Sequence, residues 1–168
     1  MENVISFESS IKKITINDED GNYLTTLKID TADVSTKKKF AELIKKLENA
    51  SARYEELSKE IDNKEGSEID KIVDESRIHV QFLDECASEL DAVFGVGTIK
   101  AIYAPNYEIN PDFVPDEYQL LDFIDKVIPL MNTLFKERFE RNNSKYNIAR
   151  RGKHNKTKAE LIEEHLNG

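Results

Sequence analysis

Disulfide frameworks, Cys/His metal centres and membrane spans are all excluded by shortage. The chain has one cysteine, Cys86, so no intrachain bridge can form. Its place on an apolar helical stripe makes it a small buried hydrophobe rather than a reactive thiol, and a reducing cytosol fits that usage. Histidine is nearly as sparse. His79, His154 and His165 are the only three, and none has a second histidine or a cysteine at ligand spacing. The longest uninterrupted apolar stretch, Val127–Met131, is far too short to span a bilayer. The opening MENVISFESS lacks the basic segment followed by an apolar run that marks export, so a soluble, unexported protein is expected.

Catalytic signatures are missing too. No serine sits in a Gly-x-Ser-x-Gly elbow, and the carboxylates are spread over helix faces where solvation is their default role. Gly95-x-Gly97 has no third glycine, follows a helix rather than a strand, and is not followed by Gly-Lys-Ser or Gly-Lys-Thr, so it is no nucleotide fingerprint. The acidic turn Asp18-Glu19-Asp20-Gly21 invites comparison with a calcium loop. Aligning Gly21 with that loop's sixth position puts Ile16 first and Leu27 twelfth, where carboxylates are needed. No catalytic, cofactor-binding or metal-binding residue is assigned, and no cofactor is expected.

What is present is length, charge and helical periodicity. A chain of 168 residues suits one domain and buries roughly 70% of its unfolded surface without staples. The net charge of −9 divides unevenly: residues 1–140 carry 17 Lys/Arg against 30 Asp/Glu, a net of −13, while 141–168 carry 7 against 3, a net of +4. The acidic body repels nucleic-acid phosphates and anionic membranes, which disfavours both as partners; the basic end, with Tyr146 for stacking, is the one feature that could hold RNA or DNA nonspecifically.

Ile14 and Ile16 alternate with polar residues, the acidic turn follows, and Tyr23, Leu27 and Ile29 then share a face, which predicts a β-hairpin. Two strands alone are marginal, so the ribbon should pack on helices or pair with another subunit. Ser35 or Thr36 then caps a long helix with Phe40, Leu43, Ile44, Leu47, Ala50, Tyr54, Leu57 and Ile61 at spacings of three and four. A turn at Asn63–Ser67 leads into a second helix striped by Ile69, Ile72, Val73, Ser76, Val80, Leu83, Cys86, Ala87, Leu90 and Phe94, giving an antiparallel helical hairpin.

Glycine and proline crowd into one segment, VFGVGTIKAIYAPNYEINPDFVPD, from Val93 to Asp116. Gly95 suits the left-handed stop of the second helix, and Gly97 with Thr98 starts a short helix to Tyr103 that Pro105 ends. An extended loop over Asn106–Val114 should be pinned by Tyr107, Ile109 and Phe113. Pro115, Asp116 and Glu117 then open a last long helix that buries Leu120, Leu121, Ile124 and Val127 and is kinked by Pro129. The apolar pattern stops near Asn142, so the expected organisation is a hairpin-plus-helical domain over 1–141 and a basic flexible tail over 142–168 with a short helix at Ala159–Leu166. The fold class is mainly α with a small N-terminal β-hairpin (α+β), built as an antiparallel long-helix bundle.

The order VFGVGTIKAIY, then NYEINPDFVPDEYQLLDFI, after the opening KKITINDEDGNYLTTLKIDTADVSTKKKF, resembles the tail assembly chaperone proteins of Gram-positive siphophages and prophages. The similarity spans roughly Lys12–Asn147. It is sharpest at Phe94-Gly95, Gly97-Thr98 and Ile102-Tyr103 after the acidic helix end at Asp91, with Val96 where an acidic residue is expected. The resemblance implies a non-enzymatic protein of the bacterial host cytoplasm, absent from the mature virion, that binds the tape measure protein and helps recruit tail tube protein. It carries no catalytic residues. A helical adaptor or a structural homo-oligomer outside tail assembly is the alternative.

Overall fold

A computed structural model describes residues 2–166, with side chains through 145. The chain forms two compact units, Met1–Val127 and Ile128–Gly168. The architecture is mainly helical with one small N-terminal hairpin, as the alternation and periodicity predict.

β1 (Ile11–Asn17) and β2 (Tyr23–Asp30) pair antiparallel, Ile14 opposite Leu27 and Lys12 opposite Ile29. The acidic turn is held by its own first carboxylate: Asp18 accepts from the Asn22 backbone N–H at 2.8 Å, the Asn22 side-chain amide at 3.0 Å and the Asp20 N–H at 3.0 Å. The Asn22 side chain, then its backbone N–H, hold the Asp18 carboxyl below its ordinary value. Gly21, at φ +83°, supplies the left-handed step. The pairing slips between Ile16 and Asn17. This irregularity moves Tyr23 off the core face expected for it: its ring is exposed, and its hydroxyl lies 3.2 Å from the Thr26 hydroxyl. Leu27 and Ile29 remain buried, and β2 lies against the helices rather than standing alone.

α1 (Val34–Asn63) is capped by Asp33 and not, as expected, by Ser35 or Thr36. A carboxylate can accept several bonds at once, and Asp33 takes the Ser35 N–H at 2.8 Å, the Ser35 hydroxyl at 3.0 Å and the Thr36 hydroxyl at 2.9 Å. The two hydroxyls therefore serve as donors to the cap. α2 (Glu68–Phe94) starts from Ser67, whose hydroxyl oxygen accepts from the Asp70 N–H at 3.2 Å.

α1 and α2 run antiparallel along a polar-edged seam. Lys46 pairs with Glu89 at 3.0 Å, Arg53 pairs with Glu85, and Tyr54 stacks on Phe82 with ring centroids 5.0 Å apart. Towards the turn, Ser58 and Tyr54 donate to Glu75 at 2.8 and 3.1 Å, and Lys71 donates to the Asp62 carbonyl at 3.1 Å.

Gly95 ends α2 at φ +116°, and its N–H donates to the Asp91 carbonyl at 2.8 Å. α3 (Thr98–Ile102) follows, then α4 (Ala104–Ile109), so the first four residues of the loop expected over Asn106–Val114 are helical. Pro105 occupies the first turn of α4, where its missing N–H has no intrahelical partner to lose; it starts a helix as readily as it stops one. Phe113 folds back edge-on to Tyr107 at 5.2 Å, but Ile109, expected to pin this segment, is exposed.

α5 (Glu117–Leu166) begins with a reciprocal cap: Asp116 accepts from the Gln119 N–H at 2.9 Å, and Gln119 accepts from the Asp116 N–H at 3.3 Å. Pro115 is buried just before the helix rather than inside its first turn. Leu120, Phe123 and Val127 are buried, whereas Leu121, also expected inside, is exposed. The core of the first unit gathers these with Leu43, Leu83, Cys86, Leu90, Phe94 and Ile99.

The second unit is the continuation of α5 from Ile128. Pro129 lies inside the helix, and its carbonyl accepts the Thr133 hydroxyl at 3.0 Å. The backbone stays helical past Asn142 to Leu166, where a polar segment with one short terminal helix was expected. The stretch 142–158 has no apolar stripe and holds four asparagines, a serine, a threonine and Gly152, all weak helix formers, so neither periodicity nor propensity marks it as helix. The side chains of the basic stretch, Tyr146, His154 and His165 among them, lie outside the described residues.

Candidate interaction surface

The glycine-rich segment is a structural joint. Asp91, on the last turn of α2, accepts the Gly97 N–H at 3.0 Å on one carboxylate oxygen and the Ile99 N–H at 2.9 Å on the other. One side chain thus caps the next helix across the turn. Gly97, at φ +83°, takes the cap position without a side chain of its own, and the buried Thr98 hydroxyl donates to the Phe94 carbonyl at 3.2 Å. These amides, which in another setting would cradle an anion, are already filled by a carboxylate. Tyr103 ties the joint to α5 by donating to the Gln119 carbonyl at 2.6 Å, and burial pushes its phenol up to about 12.

The titratable side chains also serve the fold. His79 pairs with Glu117 at the start of α5 and stacks beside Tyr54, ring centroids 5.5 Å apart. Ser58 and Tyr54 spend their hydroxyl protons on Glu75 rather than on the imidazole. Burial pushes the Cys86 thiol up to about 11, the behaviour of a packed core residue. Among the described residues no cluster of three or more His, Cys, Asp or Glu side chains is arranged to hold a metal, and no helix is long and apolar enough to cross a membrane. A cavity of about 290 Å³ at the α1–α2 turn is edged by Lys64, Asp70, Lys71 and Asp74, and Lys64 there pairs with Asp74 at 3.5 Å.

The remaining unusual feature is apolar. The stripe of α2 is buried at Leu83, Cys86, Leu90 and Phe94, yet Ile69, Ile72, Val73 and Val80, on the same face, are 73%, 63%, 58% and 50% exposed. At 100° per residue these four fall within one arc with Ser76; Lys71, Glu75 and Phe82, which touch α1, lie about 60° or more beyond its edge, and His79, stacked on Tyr54 of α1, borders it beside Ile72. The α1–α2 seam therefore leaves the first half of the stripe uncovered. The sequence identifies every member of this stripe and predicts helix stripes that form self-association or client surfaces, without marking which part stays open.

A second apolar feature is the N-terminal segment, where Val4, Ile5 and Phe7 are exposed ahead of β1. Single exposed apolar residues are ordinary, but four in register on one helix face amount to an interaction surface.

No protein-family model, curated protein or solved structure matches the chain.

Proposed function

We propose that the protein is a non-enzymatic tail assembly chaperone: it binds the long apolar helices of a tape measure protein, keeps them from aggregating, and helps bring tail tube subunits to them. It acts in the bacterial host cytoplasm and is left out of the finished virion. The uncovered half of the α2 stripe carries this reading, because a helix with apolar residues at spacings of three and four offers what an amphipathic client helix needs. The resemblance across Phe94-Gly95, Gly97-Thr98 and Ile102-Tyr103 supplies the phage context, and the strongly acidic body suits a carrier that must stay dissolved while holding apolar segments.

Co-expression with the neighbouring tape measure gene tests the reading. The expected result is a soluble client that co-purifies with the full chain. An insoluble client with no recoverable complex contradicts it. The same stripe would serve a helical adaptor outside tail assembly, and a genomic neighbourhood without tail genes would favour that reading.

A further inference from the structure

We infer that the exposed stripe Ile69, Ile72, Val73 and Val80 of α2 is the docking face for one amphipathic partner helix whose apolar residues are flanked by lysine or arginine. The inference deepens the reading of the protein as a holder of helical clients, and rests on it, but does not depend on which client that is.

The charge of the rim decides the occupant. On the helical wheel the residues beside the stripe are His79 and Glu68 on one edge and Asp70, Arg77 and Asp84 on the other, and His79 is paired with the Glu117 carboxylate. Arg77 is already held by Asp74, three residues earlier on the same helix, so the edges present carboxylates. Ser67 donates to Asp70 at 2.7 Å, which fixes one of them in place without neutralising it. An apolar strip between acidic edges pairs with a helix carrying cations at its own flanking positions, as e and g positions choose partners in coiled coils.

Two nearer occupants fit worse. A second copy would set acidic edge against acidic edge and one −13 body against another. The chain's own C-terminal segment fits less well: Ile148 and Ala149 are the two aliphatic residues among its cations from Arg141 to Lys158, and Leu161, Ile162 and Leu166 are interspersed with Glu160, Glu163 and Glu164. A cation-flanked helix from another protein satisfies both the strip and its rim.

The probe is a synthetic helix with leucine at a and d and lysine at e and g of every heptad, whose own like charges oppose self-pairing; a control carries glutamate at e and g. Binding to the full chain is read by fluorescence anisotropy, alongside sedimentation of the protein alone. The lysine probe should bind, weaken as salt rises, and lose about tenfold or more in affinity to the variant Ile72→Asp/Val73→Asp. The variant's helicity and melting temperature should match the wild type, because neither side chain is packed. Equal binding of the glutamate probe, or undiminished binding to the variant, overturns the inference. So does a wild-type dimer that the two substitutions dissociate, since the occupant would then be a second copy. If the lysine probe fails while the tape measure protein still co-purifies, this inference falls and the proposed function stands; if neither binds, both fall.

Discussion

The two halves of α2 carry one apolar stripe in one register, and they meet opposite fates. From Leu83 to Phe94 the stripe is sealed inside the first unit; from Ile69 to Val80 it faces outward. The difference does not lie in the spacing, since Ile69, Ile72, Val73, Ser76 and Val80 are repeated fourteen residues on by Leu83, Cys86, Ala87, Leu90 and Phe94. It lies in what the rest of the chain supplies. β2, α3 and the start of α5 cover the second half, while the first half meets α1 through a seam of hydroxyls, carboxylates, amines and aromatic rings and meets the start of α5 through His79 and Glu117. Periodicity specifies that a face exists; the neighbouring elements decide whether it belongs to the core or to a partner.

The sharpest test of that contrast is a pair of truncations. Leu90→Ala should cost about 2–5 kcal/mol, because Leu90 is fully buried and its removal leaves a cavity. Ile72→Ala should change stability by no more than about 0.5 kcal/mol, as surface substitutions do. Urea unfolding followed by circular dichroism measures both, and a comparable loss at Ile72 would mean that the first half is packed after all.

The joint that ends the covered half comes next in size. Gly95→Val should destabilise by about 1–3 kcal/mol, since φ +116° with ψ 139° is a region that only glycine enters without strain. A Cβ there would meet only the Thr98 hydroxyl at 3.5 Å, ordinary contact, so conformation rather than collision sets the cost. Asp91→Ala should cost about 1–2 kcal/mol by leaving the Gly97 and Ile99 amides without their shared acceptor. Thermal melts of both variants check the joint, and neutral results would show that it is not under conformational control.

Thiol chemistry reads the same contrast without unfolding the protein. With the Cys86 thiol buried and pushed up to about 11, the native wild-type chain should be nearly inert to an aromatic disulfide reagent at neutral pH. The substitution Val73→Cys should add one rapidly reacting equivalent. Equal, fast reaction at both positions would erase the distinction between the halves.

The smallest effect lies at the hairpin. Asp18, Asp30 and Asp33 are held below the ordinary value of 3.8, by Asn22, Ser10 and Ser35 foremost. A carboxyl lowered in the folded state contributes stability that is fully present above 3.8 and is lost as pH falls through the folded value. The Asn22, Ala32 and Ser35 amides should therefore lose hydrogen-exchange protection below 3.8, before the seam around Phe82 opens. Simultaneous loss across the molecule would argue against a local origin.

Much of this organisation was legible in the chain because it is encoded locally. The β-hairpin follows from alternation around a four-residue acidic turn, and the stop at Gly95 follows from a glycine placed where an apolar stripe ends. Three features escaped for identifiable reasons. α4 was hidden because Pro105 marks a helix start as well as a stop, and only the geometry at Tyr103 distinguishes the two. The continuation of α5 past Asn142 has no local signal, since no apolar stripe favours helix there and the asparagines and Gly152 disfavour it by propensity. Which half of the α2 stripe stays open escaped because a stripe looks the same whether covered or open. The pairing of Glu75 with Ser58 and Tyr54, which orients α2, is a contact between distant parts of the chain and has no local signature.

The account turns on whether the open half of α2 is where a client sits. Site-specific photo-crosslinking in cells co-expressing the full chain and the tape measure protein addresses this directly, with the crosslinker placed in turn at Ile72, at Lys59 on α1 and at Phe7 ahead of β1. The account predicts a strong adduct from Ile72 and little from Lys59 or Phe7. A recovered complex that crosslinks through Phe7 or Lys59 but not through Ile72 would contradict it.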